Sequence, residues 1–177
     1  MRRVLARLAA LSLACAACRT PPPQPQGVVN IMFAASLDTS RYVTWDFDLE
    51  RCQDTGDPRV DDTRVRQLML EELASELERR GLRRVAGGPV DCLVYYEFSV
   101  ENTAGDEAAS EPGHARIILV DSASGRSAWM AEERAPVSRS TDPARVREGV
   151  RKFVVKMLGY YPAPHGVKPH AAPAAGG

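Results

Sequence analysis

The sequence predicts an α+β fold, in which two helices pack on one face of a mostly antiparallel sheet to give two layers. Apolar residues alternate with polar ones in several segments, which indicates strands, and recur at helical spacing in two others. A short polar turn joins two of the strands as a hairpin, and hairpins require antiparallel pairing. The predicted order is β-β-α-β-β-β-α, and two amphipathic helices are enough to cover one face of such a sheet.

The first half of the predicted domain contains two strands and a helix. Residues 28–35 and 42–48 are predicted strands, and residues 50–60 are a predicted loop. A helix is predicted over 62–80, because apolar residues then recur every three or four positions and Gly81 stands where a helix stops. The apolar stripe of this helix consists of Val65, Leu68, Met69, Leu73 and Leu77.

The next segment contains the three remaining strands. A strand is predicted over 91–100, and the polar stretch 101–113 is a predicted loop. Two further strands, 114–120 and 126–133, flank the turn Asp121–Gly125. This turn has the short polar residues and the glycine that a tight hairpin connection needs.

A closing helix and a tail complete the chain. The helix is predicted to begin at Pro143 after a cap at Thr141 or Asp142, and Gly159 ends it. Its apolar stripe consists of Val146, Val150, Phe153, Val154 and Met157. Every aromatic residue lies between Phe33 and Tyr161, so the folded domain is predicted over 28–162. Residues 163–177 are Ala, Pro, Gly and His without an apolar period, and they are predicted to be a disordered tail.

The composition excludes several classes of protein. Lys and Arg number 23 and Asp and Glu also number 23, so the formal net charge is zero, which does not suit an electrostatic nucleic-acid binder. The hydrophobic content of 44% is too high for a chain that is disordered throughout. No apolar run in the sequence is long enough to span a bilayer.

The N-terminus has the pattern of a lipoprotein signal peptide. Arginines precede the short apolar run Leu8–Ala17, and small residues then lead to a cysteine, as in a bacterial lipobox. We predict a signal peptide at 1–17, lipidation of Cys18 and a proline-rich tether within 18–27. Cys15 is the alternative lipidation site, because neither cysteine has the usual aliphatic residue three positions before it. An ordinary cleaved signal peptide with incidental cysteines is the second alternative.

The predicted lipid would hold the protein at a membrane. Each buried methylene contributes about 0.8 kcal/mol, so several acyl chains on one residue are a stable anchor without a spanning helix. Arg19 follows the cysteine where an Asp would resemble an inner-membrane retention signal. The expected location is therefore the outer membrane, on its periplasmic side.

Four segments of the domain carry a recognisable pattern: Asp38–Trp45, Pro89–Val94, the hairpin Ile118–Trp129 and the closing Tyr160–Pro162. In their order and spacing they resemble the bacterial envelope lipoproteins of the domain of unknown function family 4136. Met130 and Ala131 depart from the Arg-Gly that usually follows the tryptophan in that family. The resemblance implies an outer-membrane or periplasmic lipoprotein of unknown activity, with no catalytic residue to carry over.

The residues do not form a recognisable catalytic set. Ser122 and Ser124 lie near Asp121, but a hairpin turn explains them better than a nucleophile does, and His114 is the one histidine outside the tail. Three acidic pairs are expected to lie on the solvent-exposed faces of helices or strands: Asp61–Asp62, Glu71–Glu72 and Glu132–Glu133. We therefore predict a protein that is not an enzyme and has no cofactor and no metal site. A periplasmic hydrolase of unrecognised type is the alternative.

Cys52 and Cys92 are candidates for a disulfide. An oxidising periplasm permits the bond, which would constrain the unfolded chain by about 2–4 kcal/mol. The competing interpretation is that Cys92 is a small buried residue, because its strand face is otherwise apolar.

Two surfaces are candidates for binding. The arginines in the run from Glu78 to Arg84 either stabilise the C-terminal end of the preceding helix, where cations favour the helix dipole, or contact anionic lipid. The sheet face without helices is the expected binding face, with Tyr42, Thr44 and Tyr95 exposed on it. The sequence thus predicts a membrane contact through the lipid, an unknown envelope protein or glycan as partner, and no nucleic acid.

Overall fold

The structure is a computed structural model that describes residues 29–58, 60–100, 112–136 and 142–162. These residues form a six-stranded mixed sheet with two α-helices, so the predicted α+β class is confirmed. The strands are β1 Val29–Phe33, β2 Thr44–Phe47, β3 Arg83–Arg84, β4 Cys92–Val100, β5 Pro112–Asp121 and β6 Ser127–Pro136. The α-helices are α1 Asp62–Arg79 and α2 Pro143–Leu158. The predicted signal peptide, tether and tail, and most of the predicted loop 101–113, lie outside the described residues.

The strand order across the sheet is β1-β6-β5-β4-β2-β3. The pairs β1–β6, β6–β5 and β5–β4 are antiparallel, whereas β2 runs parallel to both β4 and β3. Parallel pairing requires a crossover connection, and α1 supplies it between β2 and the strands that follow. The sheet is therefore antiparallel on the side of β1 and parallel on the side of β3.

Both helices begin at the caps that the sequence supplies. The Asp61 carboxylate accepts a hydrogen bond from the backbone N–H of Arg64, and the Asp142 carboxylate accepts one from Ala144 with Pro143 in the first turn. After α1 the chain turns at Gly81, whose φ of 90° lies in the left-handed region that favours glycine. These contacts explain why the predicted helix bounds agree with the structure within one residue.

The core lies between the helices and one face of the sheet. Trp45 and Trp129 are fully buried at its centre, and the ring of Tyr161 packs edge-on against Trp129 with centroids 5.5 Å apart. The helices contribute Met69, Leu73, Leu77, Val154, Met157 and Leu158 to this core. Both predicted apolar stripes therefore face the same side of the sheet.

The structure differs from the sequence analysis at two places in the strands. The two-residue strand β3 follows α1 and was not predicted, because two arginines carry no alternating apolar pattern. Tyr42 was expected on the exposed sheet face, yet it is only 7% exposed. A short 3-10 helix at Thr39–Arg41 ends immediately before Tyr42, so the alternation of β2 starts at Thr44 and does not extend back to this residue.

Within the described ranges, no helix has the length and apolar character that crossing a membrane requires.

Candidate functional site

The four segments that resemble the lipoprotein family meet at one end of the sheet. The Asp91 carboxylate accepts hydrogen bonds from the backbone N–H groups of Val43 and Thr44, at 2.9 and 2.7 Å, and from the Thr44 hydroxyl at 2.8 Å. Burial opposes ionisation of Asp91, but these hydrogen bonds lower its pKa overall. They fasten the start of β2 to the start of β4.

The hairpin turn and the closing segment join the same end. The Tyr42 hydroxyl donates to Asp121 at 2.9 Å, and the backbone and hydroxyl of Ser124 donate to the other oxygen of this carboxylate. The Tyr161 hydroxyl donates to the backbone carbonyl of Thr39 at 2.9 Å, across 122 residues of chain. Because these polar groups are all paired within the chain, this end of the sheet is a structural junction.

The opposite face of the sheet is the one that the helices do not cover, and we call it the open face. Its central row runs across four strands through Met32, Met130, Ile118 and Tyr95, which are direct neighbours in the strand register. The guanidinium of Arg51 lies over the Tyr95 ring, 5.7 Å from its centroid. Met32 is 49% exposed and Ile118 only 3%, so this row is an apolar strip that is accessible mainly at its Met32 end, with a cation at the other end.

A row of charged side chains runs beside the apolar row on the open face. Arg116 donates to Glu132 at 3.1 Å and to Glu97 at 3.2 Å, and His114 Nε2 lies 2.9 Å from the second oxygen of Glu132. The hydrogen bond with His114, together with that from Arg116, lowers the pKa of Glu132 against the effect of burial. The open face thus combines an apolar strip with a network in which one arginine and one histidine contact two carboxylates.

The serine, histidine and carboxylate groups weighed as catalytic candidates are not brought together. Asp121, Ser122 and Ser124 form the hairpin turn at one end of β5, and His114 lies near its other end. Seven residues of strand separate His114 from Asp121, which is about 23 Å. A serine, a histidine and a carboxylate within hydrogen-bond reach are needed for a triad, and these residues do not meet that condition.

The acidic pairs are engaged in separate structural contacts. Glu132 lies on the open face, whereas Glu133 lies on the helix side and binds Lys156 of α2 at 2.6 Å. Asp61 caps α1, and Asp62 accepts hydrogen bonds from the loop at Thr55 and Gly56. Glu71 and Glu72 both approach Arg147, at 3.2 and 3.8 Å.

Cys52 and Cys92 are two free, buried thiols. Gln53, the residue after Cys52, pairs in parallel with Glu97 of β4, so Cys52 lies level with Tyr96 and about four strand residues, or about 13 Å, from Cys92. A disulfide requires Cα atoms within about 7 Å. The candidate disulfide is therefore not formed in this structure, and burial raises the pKa of the Cys92 thiol to about 12.

The arginine-rich run is divided among internal contacts. Arg79 and Arg80 both bind the buried Glu76, and Arg80 also donates to the carbonyl of Tyr161 at 3.2 Å. Arg84 binds Asp46 and stacks over the Phe47 ring. Three of the four arginines thus hold the fold together, which favours the structural interpretation of this run.

One polar cluster escaped the sequence analysis. The Tyr96 hydroxyl donates to Asp54 at 2.7 Å, and Arg66 of α1 binds the other oxygen of Asp54 at 3.1 Å. These residues come from a loop, a helix and a strand, so no spacing in the sequence indicates that they meet. Among the described residues, no group of three or more His, Cys, Asp or Glu side chains is arranged to hold a metal ion.

The sequence matches no protein-family model and no curated protein. Among solved structures, a PDZ domain protein from Parabacteroides distasonis superposes with a TM-score of 0.57 at 16% identity, over 81% of this chain and 37% of that one. A PelC dodecamer from Paraburkholderia phytofirmans gives a TM-score of 0.46 at 13% identity, over 75% of this chain and 95% of that one. A lipoprotein from Neisseria meningitidis gives 0.39 at 13% identity, over 68% and 99%. This chain spans little more than a third of the PDZ domain protein, and that likeness is one of fold alone.

Proposed function

We propose that this chain is a lipid-anchored envelope protein of the outer membrane, facing the periplasm, whose α+β domain binds or braces a partner and catalyses no reaction. Membership of the domain of unknown function family 4136 is part of the proposal. The contacts among the four resembling segments support it, since segments as far apart as Thr39 and Tyr161 are joined directly.

The proposal that the domain catalyses no reaction rests on one observation, which is that its candidate polar side chains already have partners within the chain. Asp91, Asp121 and Ser124 are bound to backbone or side-chain groups of the same chain. A histidine paired with a carboxylate acts as a base only where a nucleophile lies within reach of its other nitrogen, and the hairpin serines lie at the opposite end of β5 from His114. The open face, with its apolar row beside ion pairs, has the mixed character of a protein-binding surface.

The anchor is tested by replacing each candidate cysteine in the full chain. We expect Cys18→Ser to abolish incorporation of a clickable palmitate analogue in a bacterial host, and Cys15→Ser to leave it unchanged. Mass spectrometry of the mature N-terminus then identifies the lipidated residue. Loss of label only in Cys15→Ser would assign the lipid to Cys15, and label in neither wild type nor variant would refute the anchor.

The binding role is tested by photocrosslinking in living cells. A photoreactive amino acid at Arg116 reports on the open face, and the same group at Arg151, which is exposed on α2, is the matched control. We expect discrete protein or glycan adducts from position 116 and none from position 151. Identical adducts from both positions would contradict a binding role for the open face.

A further inference from the structure

The sheet ends at β1 in an edge that no described residue covers. β1 pairs with β6 on one side only, in the register Val29↔Glu133 to Phe33↔Trp129. The strand Val29–Phe33 contains no charged residue and no proline, and it exposes 49% of Met32 and 53% of Phe33. Soluble proteins usually protect such an edge with lysine, proline or a very short strand.

The other edge of the sheet is protected in that way. β3 is two residues long, and both residues are arginines. The guanidinium of Arg84 also binds Asp46 at 3.1 Å across the neighbouring strand. Among the described residues, the β1 edge is therefore left open, whereas the β3 edge is closed to strand addition.

The register identifies which backbone groups of β1 are directed outward. The N–H of Ala34 donates to the carbonyl of Ala128 at 3.0 Å, so this pair is a hydrogen-bonded one. Hydrogen-bonded pairs alternate in an antiparallel ladder, so Met32 and Asn30 also bond to β6. The N–H and C=O groups of Val29, Ile31 and Phe33 therefore face away from the sheet.

We propose that two copies of this chain pair through β1, antiparallel and with a two-fold axis at Ile31. The outward groups are spaced symmetrically about Ile31, so Val29 of one copy faces Phe33 of the other and Ile31 faces itself. About six backbone hydrogen bonds form, and the interface is isologous. The two sheets become one sheet of twelve strands, with both open faces on the same side.

The side chains of the strand suit this pairing. Phe33, half exposed in the single chain, lies opposite Val29 of the second copy on the helix side. On the open face Asn30 lies opposite Met32, and because the strand carries no charge, no like charges from β1 meet across the axis. An uncharged, apolar edge is complementary to a second copy of itself.

The tether of the proposed anchor would assist the pairing. Ten residues separate Cys18 from Val29, which span at most about 35 Å when fully extended. Anchored copies would hold their β1 edges within this distance of the lipid, and confinement of this kind raises the effective concentration of one edge for another. The self-complementary register, however, depends on the strand alone and not on the anchor.

The test uses two charge variants of the full chain that differ at one position. Asn30→Lys with Met32→Lys introduces like charges directly opposite each other twice, whereas Asn30→Lys with Met32→Glu introduces two opposite-charge pairs. Both positions are exposed, so the single chain should tolerate either variant equally. We expect the dissociation constant of the dimer to rise about tenfold or more in the first variant and to return to near the wild-type value in the second.

The measurement is sedimentation of the detergent-solubilised chain, repeated with Cys15→Ser and Cys18→Ser combined. A dimer in the unlipidated chain at higher concentration supports the edge pairing even if the proposed anchor is wrong. When the single variants Asn30→Cys and Met32→Cys are mixed and oxidised, the yield of intermolecular disulfide should exceed the yield from either variant alone. Arg83→Cys, at the closed edge, is the control. A monomer under all conditions, or equal dimerisation of both charge variants, would overturn the proposal.

Discussion

The buried Glu76 offers the most direct test of the interior of this fold. Its side chain is 5% exposed and accepts hydrogen bonds from Arg79 at 2.7 and 2.5 Å and from Arg80 at 2.9 Å. Removing one partner of a buried ion pair costs about 3–5 kcal/mol. Arg79 is 29% exposed and can turn to water, so we expect Glu76→Gln to lower the free energy of unfolding by about 2–3 kcal/mol.

The assay is urea unfolding of the unlipidated chain, followed by tryptophan fluorescence. Trp45 and Trp129 are both fully buried, so their emission reports the loss of the core. Glu78→Gln, at an exposed position of the same helix, is the matched control and should change the free energy by less than about 0.5 kcal/mol. Equal effects of the two substitutions would refute the structural role of Glu76.

The other predictions concern pH, thiols and the Asp54 cluster. Hydrogen bonds from Ser124 and Tyr42 lower the pKa of Asp121, so its contribution to stability is present above about pH 4 and is lost as the pH falls; Asp121→Asn should flatten acid unfolding below that pH. In the chain with Cys15→Ser and Cys18→Ser, Cys52 and Cys92 should react with a thiol reagent only after denaturation, and fast reaction of that native protein would contradict their burial. Tyr96→Phe should cost about 1.5 kcal/mol in the urea assay, because it removes a hydrogen bond to the carboxylate of Asp54, and an unchanged midpoint would contradict this.

The parts of the fold that follow local rules could be predicted from the sequence. Both helices combine a cap, an apolar stripe and a glycine stop, and these signals act within a few residues of one another. The hairpin turn at Asp121–Gly125 is equally local, because the Asp121 carboxylate binds Ser124 three positions later. Each of these elements lies in the structure within a few residues of its predicted bounds.

The parallel side of the sheet could not be predicted in this way. β2 is four residues long, and its neighbours β3 and β4 lie beyond α1 in the sequence. Their pairing depends on contacts such as that of Asp91 with Thr44, which are 47 residues apart. Single-strand patterns contain no information on which strands become neighbours, so the order of the sheet became visible only in the structure.

Tyr42 and Cys52 show that the alternation of side chains along a strand does not predict burial or contacts in short irregular segments. Tyr42 directly follows a 3-10 helix, and its hydroxyl reaches Asp121 on the hairpin, so it is buried against the expectation from strand parity. Cys52 lies in a loop whose next residue joins β4 at Tyr96 rather than near Cys92. In both cases a single turn of backbone changes which residue a side chain meets.

The open face and the β1 edge meet at Met32, and this gives the proposed pairing a functional consequence. Met32 ends the apolar row on the open face and lies one residue from the two-fold axis at Ile31. In the paired form Met32 of each copy lies opposite Asn30 of the other, so the two apolar rows would lie side by side, offset by two residues, and each would continue into the charged row of the other copy. A partner with a repeated binding element could then engage both copies at once, and its apparent affinity would exceed that for one copy through effective concentration alone. The two charge variants distinguish pairing of the copies from binding of a partner to the row. Met32→Lys and Met32→Glu both add a charge to the apolar row, but in the Asn30→Lys background only Met32→Lys opposes pairing.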